Sequence, residues 1–170
     1  MDRIENINHM ANKLTDVRIV RLPAMKVLSS VCQGEGAPEG DTIMPMLEWL
    51  KDRGITGING MREAFMFNNP EKGCYVMIVR IPESFGDIGP FGCYTFPGGL
   101  FAVTSAYVYE INERMGQLEE WLQNNDRYEL EVIDGKARHP YMGEVITPWD
   151  LVEQFGEEQQ DLFVPIRVKV

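Results

Sequence analysis

The sequence predicts an α+β fold built from two similar halves, and three observations carry this prediction. Apolar periodicity and the positions of Gly and Pro divide each half into a strand, a helix and two further strands. Pro23 and Pro97 lie 74 residues apart, and each is followed by two residues and then an apolar run. Trp49 and Trp121 lie 72 residues apart in the similar segments LEWL and EEWL. These matching spacings indicate an internal repeat, with one core between the halves and a cleft along their pseudo-twofold seam.

The first repeat is predicted over residues 17–86, after an N-terminal arm over residues 1–16 that is rich in Asn and charge. A long Val- and Leu-rich strand spans residues 17–34 and bends at Pro23, since proline is tolerated at strand edges and bulges. A helix follows and stops at Gly54, with apolar residues at helical spacing: Ile43, Met46, Leu47 and Leu50. Two more strands, separated by a turn at the Asn-Asn-Pro segment, complete this repeat.

The second repeat is predicted over residues 93–170 and has the same order of elements. Its first strand contains the glycine pair of TFPGGLFAVTS, and its helix carries an apolar stripe made of Val108, Ile111, Met115, Leu118 and Leu122. A strand around 140–147 and a final strand over 161–170 follow. The acidic segment TPWDLVEQFGEE between them is predicted to be a loop that closes over the cleft and carries Trp149. Residues 17–170 are thus expected to form one domain.

The glycine pair Gly98-Gly99 does not form a phosphate-binding loop in this interpretation. Such loops open a helix, and a P-loop also places a lysine after its last glycine. Here a run of strand-forming residues, LFAV, follows the pair. The glycines are therefore expected to create a bulge or a close backbone approach within a strand and so to shape the cleft.

Composition excludes several classes of function. A formal charge of −10 opposes direct binding of nucleic acid by this chain, because phosphate recognition needs Lys and Arg. Three cysteines without CxxC spacing argue against a disulfide framework and against a zinc site. No apolar run approaches about 18 residues and the N-terminus lacks a signal-peptide core, so no membrane partner is expected and the predicted location is cytoplasmic. Neither a cofactor nor a metal is predicted.

Aromatic side chains and one glutamate are the candidate ligand contacts. Glu144 lies among apolar residues in a predicted strand, and a half-buried carboxylate there needs a compensating partner or a cationic ligand. Aromatic walls together with a buried acid suit a lipophilic cation. The predicted ligand contacts are Glu144, Tyr141, Trp49, Trp121, Tyr109, Trp149, Tyr75 and Phe65. The alternative for each aromatic residue is packing in the core, and for Glu144 it is a solvated position on the strand face.

The chain resembles the gyrase-inhibitor-like (GyrI-like) effector-binding domain in the order and spacing of six segments: FNNP, GCYVMIVRIPESF, FPGGLFAVT, LEEWL, YMGEVITP and DLFVPIRV. This domain also forms the C-terminal sensor of AraC-type and MerR-type multidrug-responsive transcription regulators. The resemblance covers nearly all of the chain from Val17 to Val170. It implies two pseudo-twofold strand-helix-strand-strand repeats that form one curved antiparallel sheet, with two helices over it and a central cleft.

The resemblance also implies a function. Members of this family bind lipophilic, often cationic or aromatic, small molecules in the cleft, and many carry a glutamate that matches Glu144, followed by a proline that matches Pro148. Val76 stands where relatives often have an acid, which leaves fewer negative charges in the first half of the cleft. The chain lacks the helix-turn-helix domain of the regulators. It is expected either to stand alone as a multidrug-binding protein or to act as the sensor of a regulator with a fused or separate DNA-binding domain.

Two other functions stay open at this point. The resemblance implies that some stand-alone members hydrolyse strained electrophilic compounds, and here Glu144 would be the general base with Tyr141 or Tyr109 as proton donor. An acidic surface can also mask a topoisomerase such as gyrase, but the acids are dispersed, with only mild clusters at 119–120 and 157–158. Small-molecule binding is the expected function, and hydrolysis is its main alternative.

Overall fold

The computed structural model describes Leu14, residues 16–55 and residues 64–170, except for the side chains of Trp149 and Asp150. The strands in this part of the chain are β1 (Arg18–Leu22), β2 (Met25–Ser29), β3 (Ala64–Asn69), β4 (Cys74–Arg80), β5 (Gly92–Phe96), β6 (Gly99–Tyr107), β7 (Tyr128–Leu130), β8 (Val132–Ile133), β9 (Lys136–Ala137), β10 (Met142–Val145) and β11 (Gln159–Val168). The helices are α1 (Glu39–Asp52), α2 (Ile111–Gln123) and α3 (Trp149–Phe155), and a 3-10 turn (Val108–Glu110) precedes α2. The predicted arm over residues 1–16 lies almost wholly outside the described residues.

One antiparallel sheet with the strand order β1-β6-β11-β10-β3-β4-β2-β5 contains most of these strands, and β7 also pairs with β11. The order is symmetric about its centre: β2, β3 and β4 of the first half correspond to β6, β10 and β11 of the second. At the centre β3 meets β10, where Met66 lies opposite Gly143. We call this junction of β3 and β10 the seam. The predicted α+β fold of two pseudo-twofold repeats with a curved antiparallel sheet is therefore confirmed.

The two matching prolines mark an exchange of strands between the halves. Pro23 separates β1 from β2, and Pro97 separates β5 from β6. β1 pairs with β6 of the second half, whereas β5 pairs with β2 of the first half. The single bent strand that the sequence predicts in each half is thus two strands, which lie in different halves of the sheet. Proline favours such a break because it has no N–H to donate to a neighbouring strand.

The sheet curls so that one of its faces lies inside. Phe96 on the edge strand β5 stacks on Phe101 of β6, with ring centroids 6.4 Å apart, although five strands separate β5 from β6 in the sheet order. Phe65 of β3 and Phe163 of β11 contact each other and the same cluster. We call this the inner face. Its aromatic cluster draws side chains from both halves, so it unites them in one core.

The opposite side of the sheet carries α1 and α2, and we call it the helix face. Buried residues of α1 pack against β3 and β4 in a cluster that includes Ile43, Met46, Leu50, Met66 and Met77. Buried residues of α2 pack against β6 and β11 in a second cluster that includes Leu118, Leu122, Ala102, Val164 and Ile166. The two helices therefore cover the two halves of the sheet on either side of the seam.

Three local predictions need correction. Cys32 and Cys74 form a disulfide bond with their Cα atoms 6.0 Å apart, because the pairing of β2 with β4 brings the segment after β2 beside the start of β4. The segment TPWDLVEQFGEE contains the helix α3 and is not a simple loop; the helix ends at Gly156, which has a φ of 69°. Gly98 and Gly99 lie at the break between β5 and β6, where Gly99 begins β6, with φ values of 70° and 125°, and not in the middle of one long strand; the predicted close backbone approach is present at Gly98, next to Leu22 and Pro23.

The described part of the chain also bears on membranes and metals. No helix in it is long and apolar enough to cross a membrane. No group of three or more His, Cys, Asp or Glu side chains in the described ranges is arranged to hold a metal ion.

Candidate functional site

Glu144 lies on the inner face of the sheet. Side chains alternate between faces along a strand, and Met142, two residues earlier on β10, belongs to the inner aromatic cluster. Glu144 pairs across the strands with Asp161 of β11. The Asp161 carboxylate accepts a hydrogen bond of 2.6 Å from Ser105 Oγ and forms an ion pair of 2.6 Å with Arg18. Glu144 is thus next to a polar network on the side of the sheet away from the helices.

Tyr141 lies on the helix face, beside α2. It packs against the cluster that contains Leu118 and Leu122. Burial, the negative charge of Glu119 and a hydrogen bond to the Glu119 carboxylate raise the pKa of Tyr141. Tyr141 and Glu144 therefore face opposite sides of the sheet, and the structure does not bring this predicted acid–base pair together.

Tyr75 lies on the helix face close to the seam, on β4. It packs against the cluster formed with α1 and is half-buried. Burial is the main cause that raises its pKa to about 12, and the negative charges of Glu39 and Glu158 add to the shift. The Tyr75 hydroxyl therefore keeps its proton at neutral pH. Glu39 comes from the first turn of α1 and Glu158 from the segment just before β11, so this tyrosine has a carboxylate from each half in electrostatic range.

Gly143 lies at the centre of the seam, and the Gln160 side chain of β11 lies beside it. A Cβ atom added at Gly143 would lie 2.6 Å from the Gln160 side-chain oxygen Oε1. Gln160 is only 8% exposed, and its Nε2 donates a hydrogen bond of 2.7 Å to Glu158 Oε1. The glycine therefore leaves the room that the glutamine amide fills, and the amide in turn holds the Glu158 carboxylate.

Two buried hydroxyl groups on the helix face lack hydrogen-bond partners in the described part of the structure. Thr42 Oγ1, on the buried side of α1 one turn after Glu39, has no hydrogen-bond partner among the described residues. Thr104 Oγ1, which is also without a partner there, belongs to β6 and lies in the same cross-strand row as Gly143, with Leu162 between them. Buried hydroxyls are normally hydrogen-bonded, so both are unusual.

Phe65, Trp49 and Trp121 lie in three different hydrophobic clusters. Trp49 makes edge-to-face contacts with Phe85 and Phe91, and the Arg53 guanidinium carbon lies 3.8 Å above its ring. Trp121 packs against the cluster under α2. Phe65 is 1% exposed on the inner face. In the antiparallel register Phe65 lies across the seam from Glu144 on the inner face, and Trp49 packs against the same cluster as Tyr75 on the helix face.

Tyr109 is the most exposed of the predicted aromatic contacts, with 75% of its surface accessible. Its ring stacks on that of Tyr107, with centroids 5.4 Å apart and an angle of 4° between the planes. The neighbouring Val108 N–H donates to the Glu158 carbonyl oxygen, so this tyrosine pair lies next to the chain segment that contains Glu158. The side chain of Trp149 lies outside the described part of the structure.

Sequence patterns did not single out Glu39, Gly143 or Gln160, and they indicated Glu158 only as part of a mild acidic cluster. The alternation of side chains between the two faces of β10 is a local signal that predicts opposite orientations for Tyr141 and Glu144. Tyr141, just before β10, lies on the same side of the sheet as Gly143 and Val145, so a site that includes Tyr141 has a glycine, not Glu144, as its neighbour on that strand. Glu39 and Glu158 carry no such local signal, because they are far apart in the chain and meet only when the sheet is assembled.

No protein-family model matches this sequence, and no curated protein matches it at the level of sequence. Solved structures do share its fold. A crystal structure of a hydrolase from Listeria innocua is similar with a TM-score of 0.61 and 10% identity, covering 96% of this chain and 98% of that one. Another Listeria innocua hydrolase structure gives a TM-score of 0.59 at 12% identity, with 97% and 98% covered. EcmrR, in a cryo-EM structure of its DNA complex, gives 0.65 at 14% identity, and the similarity covers 99% of this chain but 66% of the EcmrR chain.

At these identities the similarity shows the fold alone. The fold defines the class of protein, a two-repeat α+β domain with a curled sheet, and it is consistent with the GyrI-like domain that the sequence resembles. Within that class the same architecture occurs in chains described as hydrolases and in a DNA-bound protein.

Proposed function

We propose that this chain binds lipophilic cations on the helix face of the seam, either as a stand-alone binding protein or as the sensor domain of a transcription regulator. One observation carries the proposal: a half-buried tyrosine, Tyr75, lies at the seam within range of two carboxylates, Glu39 and Glu158. Among the described residues neither carboxylate forms an ion pair with Lys or Arg. The similarity to EcmrR supports a sensor role through the fold only.

This arrangement favours a flat cation for two physical reasons. The face of an aromatic ring attracts positive charge, and the attraction grows when the pair is shielded from water. The two carboxylates also repel each other, which contributes to the raised pKa of Glu39 after the larger effect of burial. A bound cation offsets that repulsion. Tyr141 is proposed as a further contact on this face, and Tyr109 as a contact at its rim.

Fluorescence titration with rhodamine 6G, a planar lipophilic cation, tests this function. We expect saturable binding to the wild type, about tenfold weaker binding to Tyr75→Leu, and unchanged binding to Tyr94→Leu, a matched change on the edge strand β5. If the wild type binds no dye, the proposed function is wrong. Glu144→Gln is titrated in the same way. A loss of dye binding in that variant alone would show that the ligand binds on the inner face, beside Glu144.

Hydrolysis is the second candidate, and one observation favours it. On the helix face the Tyr141 hydroxyl is paired with the Glu119 carboxylate, so a proton donor and a potential base lie side by side. Two Listeria innocua hydrolases share the fold. Incubation with a panel of epoxides and cyclopropane-containing electrophiles, followed by mass spectrometry, tests this candidate. Product formation above the buffer rate that Glu119→Gln abolishes would support it, and the absence of turnover would remove it.

A further inference from the structure

We propose that Cys32 is a site of reversible modification by low-molecular-weight thiols. A small thiolate attacks the Cys32–Cys74 disulfide at Cys32 Sγ and remains attached there as a mixed disulfide, while Cys74 is released as a buried thiol. None of the proposed ligand contacts takes part in this reaction, so it is independent of the proposed function.

The two sulfur atoms of the disulfide differ in their access to solvent. Cys74 is 2% exposed and belongs to the inner aromatic cluster, whereas Cys32 is half-buried and packs against the edge of that cluster. In thiol–disulfide exchange the thiolate must reach the sulfur that it attacks, so access decides which of two sulfurs reacts. Attack on this disulfide is therefore directed to Cys32 Sγ.

The chain that follows Cys32 leaves room for an attached group. The four residues from Gln33 to Gly36 are all exposed. A Cβ atom added at Gly34 or Gly36 would meet no other part of the described chain within 4 Å. A small thiol bound at Cys32 can therefore extend along this segment into solvent without displacing a strand of the sheet.

The fold also provides hydrogen-bond acceptors for Cys32 once the disulfide is open. The carbonyl oxygens of Gly34 and Lys72 lie 3.7 Å and 3.9 Å from Cys32 Sγ, within range of a weak hydrogen bond from a thiol. A sulfur in a disulfide has no hydrogen to donate, so these acceptors gain a donor only when Cys32 is reduced. The same backbone thus accommodates Cys32 in both oxidation states, as a reversible reaction requires.

Cys74 is released into apolar surroundings. It shares the inner cluster with Phe67, Val76 and Phe96, where a thiol packs as a small hydrophobic group but a thiolate is disfavoured. The departing sulfur therefore takes up a proton, and the resulting thiol is a slow nucleophile in the reverse attack on Cys32. For this reason the mixed disulfide is expected to persist at Cys32 and not to close at once to the protein disulfide.

The reaction is a substitution at sulfur that needs no reagent other than the small thiol. The thiolate forms a bond to Cys32 Sγ, the bond between the two protein sulfurs breaks, and Cys74 Sγ leaves with the electron pair and takes a proton from water. A second thiolate can then attack the sulfur of the attached group. That step releases the small disulfide and leaves Cys32 as a thiolate, so the modification is removed by the same class of reagent that makes it.

Mapping of the attached group with glutathione tests which sulfur is attacked. The Cys93→Ser variant, which retains only the two disulfide cysteines, is incubated with mixtures of reduced and oxidised glutathione, quenched with acid and alkylated. Trypsin cleaves after Lys51, so Cys32 and Cys74 fall on separate peptides for mass spectrometry. We expect glutathione on Cys32 at least about tenfold more often than on Cys74. A preference for Cys74, equal labelling of both, or no mixed disulfide at all would overturn the inference.

Two single-cysteine variants test the access of each sulfur separately. On the Cys93→Ser background, Cys74→Ser leaves only Cys32, and Cys32→Ser leaves only Cys74. Oxidised glutathione should label Cys32 at least about tenfold faster than Cys74 in the folded proteins, and both at similar rates in concentrated urea. Equal rates in the folded proteins would contradict the inference. Near-ultraviolet circular dichroism checks the folding of both variants, and if either is unfolded the mapping on the disulfide-bonded protein decides.

Urea distinguishes a reaction of the folded protein from one that requires unfolding. The rate constant for exchange with reduced glutathione should change by less than about twofold at urea concentrations below the unfolding transition, because a partly exposed sulfur needs no cooperative opening. A steeper rise would show that the disulfide is reached only in unfolded chains, and Cys32 would then not be a modification site of the native protein. The dye titrations test the proposed function by themselves, and none of these outcomes changes their result.

Discussion

Gly98 and Gly99 permit two close contacts where the chain passes from β5 to β6. A Cβ at Gly98 would collide with the backbone of Leu22 and Pro23, at the matching break between β1 and β2. A Cβ at Gly99 would lie 2.6 Å from the guanidinium of Arg138, whose central carbon is 4.9 Å from the centre of the Phe101 ring. The absence of a side chain at Gly98 therefore lets the two strand breaks pack closely together, and at Gly99 it leaves room for the Arg138 guanidinium.

Replacing Gly98 by alanine should destabilise the protein by about 2 kcal/mol or more, because the residue has a left-handed φ of 70° and the new Cβ meets backbone atoms that cannot move away. Chemical denaturation followed by tryptophan fluorescence measures the change. Gly116→Ala is the matched control: this glycine lies inside α2 and an added methyl group would have nothing within 4 Å, so alanine there should add about 0.5–1 kcal/mol. Equal stability of the two variants would contradict this account.

Glu39 should make the stability of the protein depend on pH. Burial and Glu158 raise its pKa in the folded state, so its contribution is most favourable below the ordinary pKa of a glutamate and is lost as pH rises through the raised value. Glu39→Gln removes this dependence. We expect the variant to be more stable than the wild type at pH 7 by about 0.5 kcal/mol or less, since the residue is largely exposed, and to show no such gain at pH 3.

Denaturation curves of both proteins at the two pH values measure this effect. A variant that is less stable than the wild type at pH 7 would show that Glu39 is a stabilising residue, such as a helix N-terminal acid, and not a strained one. A gain in stability combined with weaker dye binding would fit a residue retained for ligand recognition.

At the scale of elements, the start of α1 is tied to the turn between β3 and β4. The Cys32–Cys74 disulfide joins the segment before α1 to the first residue of β4. The Gly36 N–H adds a hydrogen bond of 3.2 Å to the Gly73 carbonyl oxygen in that turn. These links hold the segment that leads into Glu39, so they also bear on the proposed site.

Reduction of this disulfide should lower the free energy of unfolding by about 2–4 kcal/mol, because the bond closes a loop of 42 residues in the unfolded chain. Thermal melting with and without a phosphine reductant measures the loss. The Cys32→Ser/Cys74→Ser double variant should match the reduced wild type and ignore the reductant. Cys93→Ser, which changes the free cysteine, should respond to the reductant as the wild type does. An unchanged melting temperature of the reduced wild type would contradict the prediction.

At the scale of the whole molecule, the exchange of β1 and β5 makes each half dependent on the other. β1 has its partner β6 in the second half, and β2 receives one of its two partners, β5, from there. The inner aromatic cluster is divided in the same way, with Phe65 in the first half and Phe96, Phe101 and Phe163 in the second. The two repeats thus form a single core, in which neither half buries its own inner face.

Neither half should fold alone. Fragments 1–90 and 91–170 are each expected to lack near-ultraviolet circular dichroism and a cooperative melting transition, because short strands without their partners and an uncovered apolar face are unstable in water. An equimolar mixture should regain both signals if the exchanged strands find their partners. A cooperative melt of either isolated fragment would show that the exchange is not needed for folding.

The sequence by itself predicted two repeats and the main strands and helix of each, but it predicted neither the short strands β7, β8 and β9 nor the helix α3. Strand alternation, the apolar stripes of α1 and α2, and the breaks at Pro23 and Pro97 are local signals, since periodicity and proline act within a few residues. These signals predicted the α+β class and the curled antiparallel architecture together with the family resemblance. They did not show that each proline separates strands belonging to different halves of the sheet.

Tertiary structure alone decided the composition of the candidate site. It placed Tyr141 and Glu144 on opposite faces, joined Cys32 to Cys74, and brought Glu39 near Glu158. Each of these depends on strand register and on the curl of the sheet, and a shift of one residue in register reverses every side chain between the two faces. Contacts between residues so distant in the chain carry no local pattern, which is why the aromatic residues were visible in the sequence but the acid pair was not.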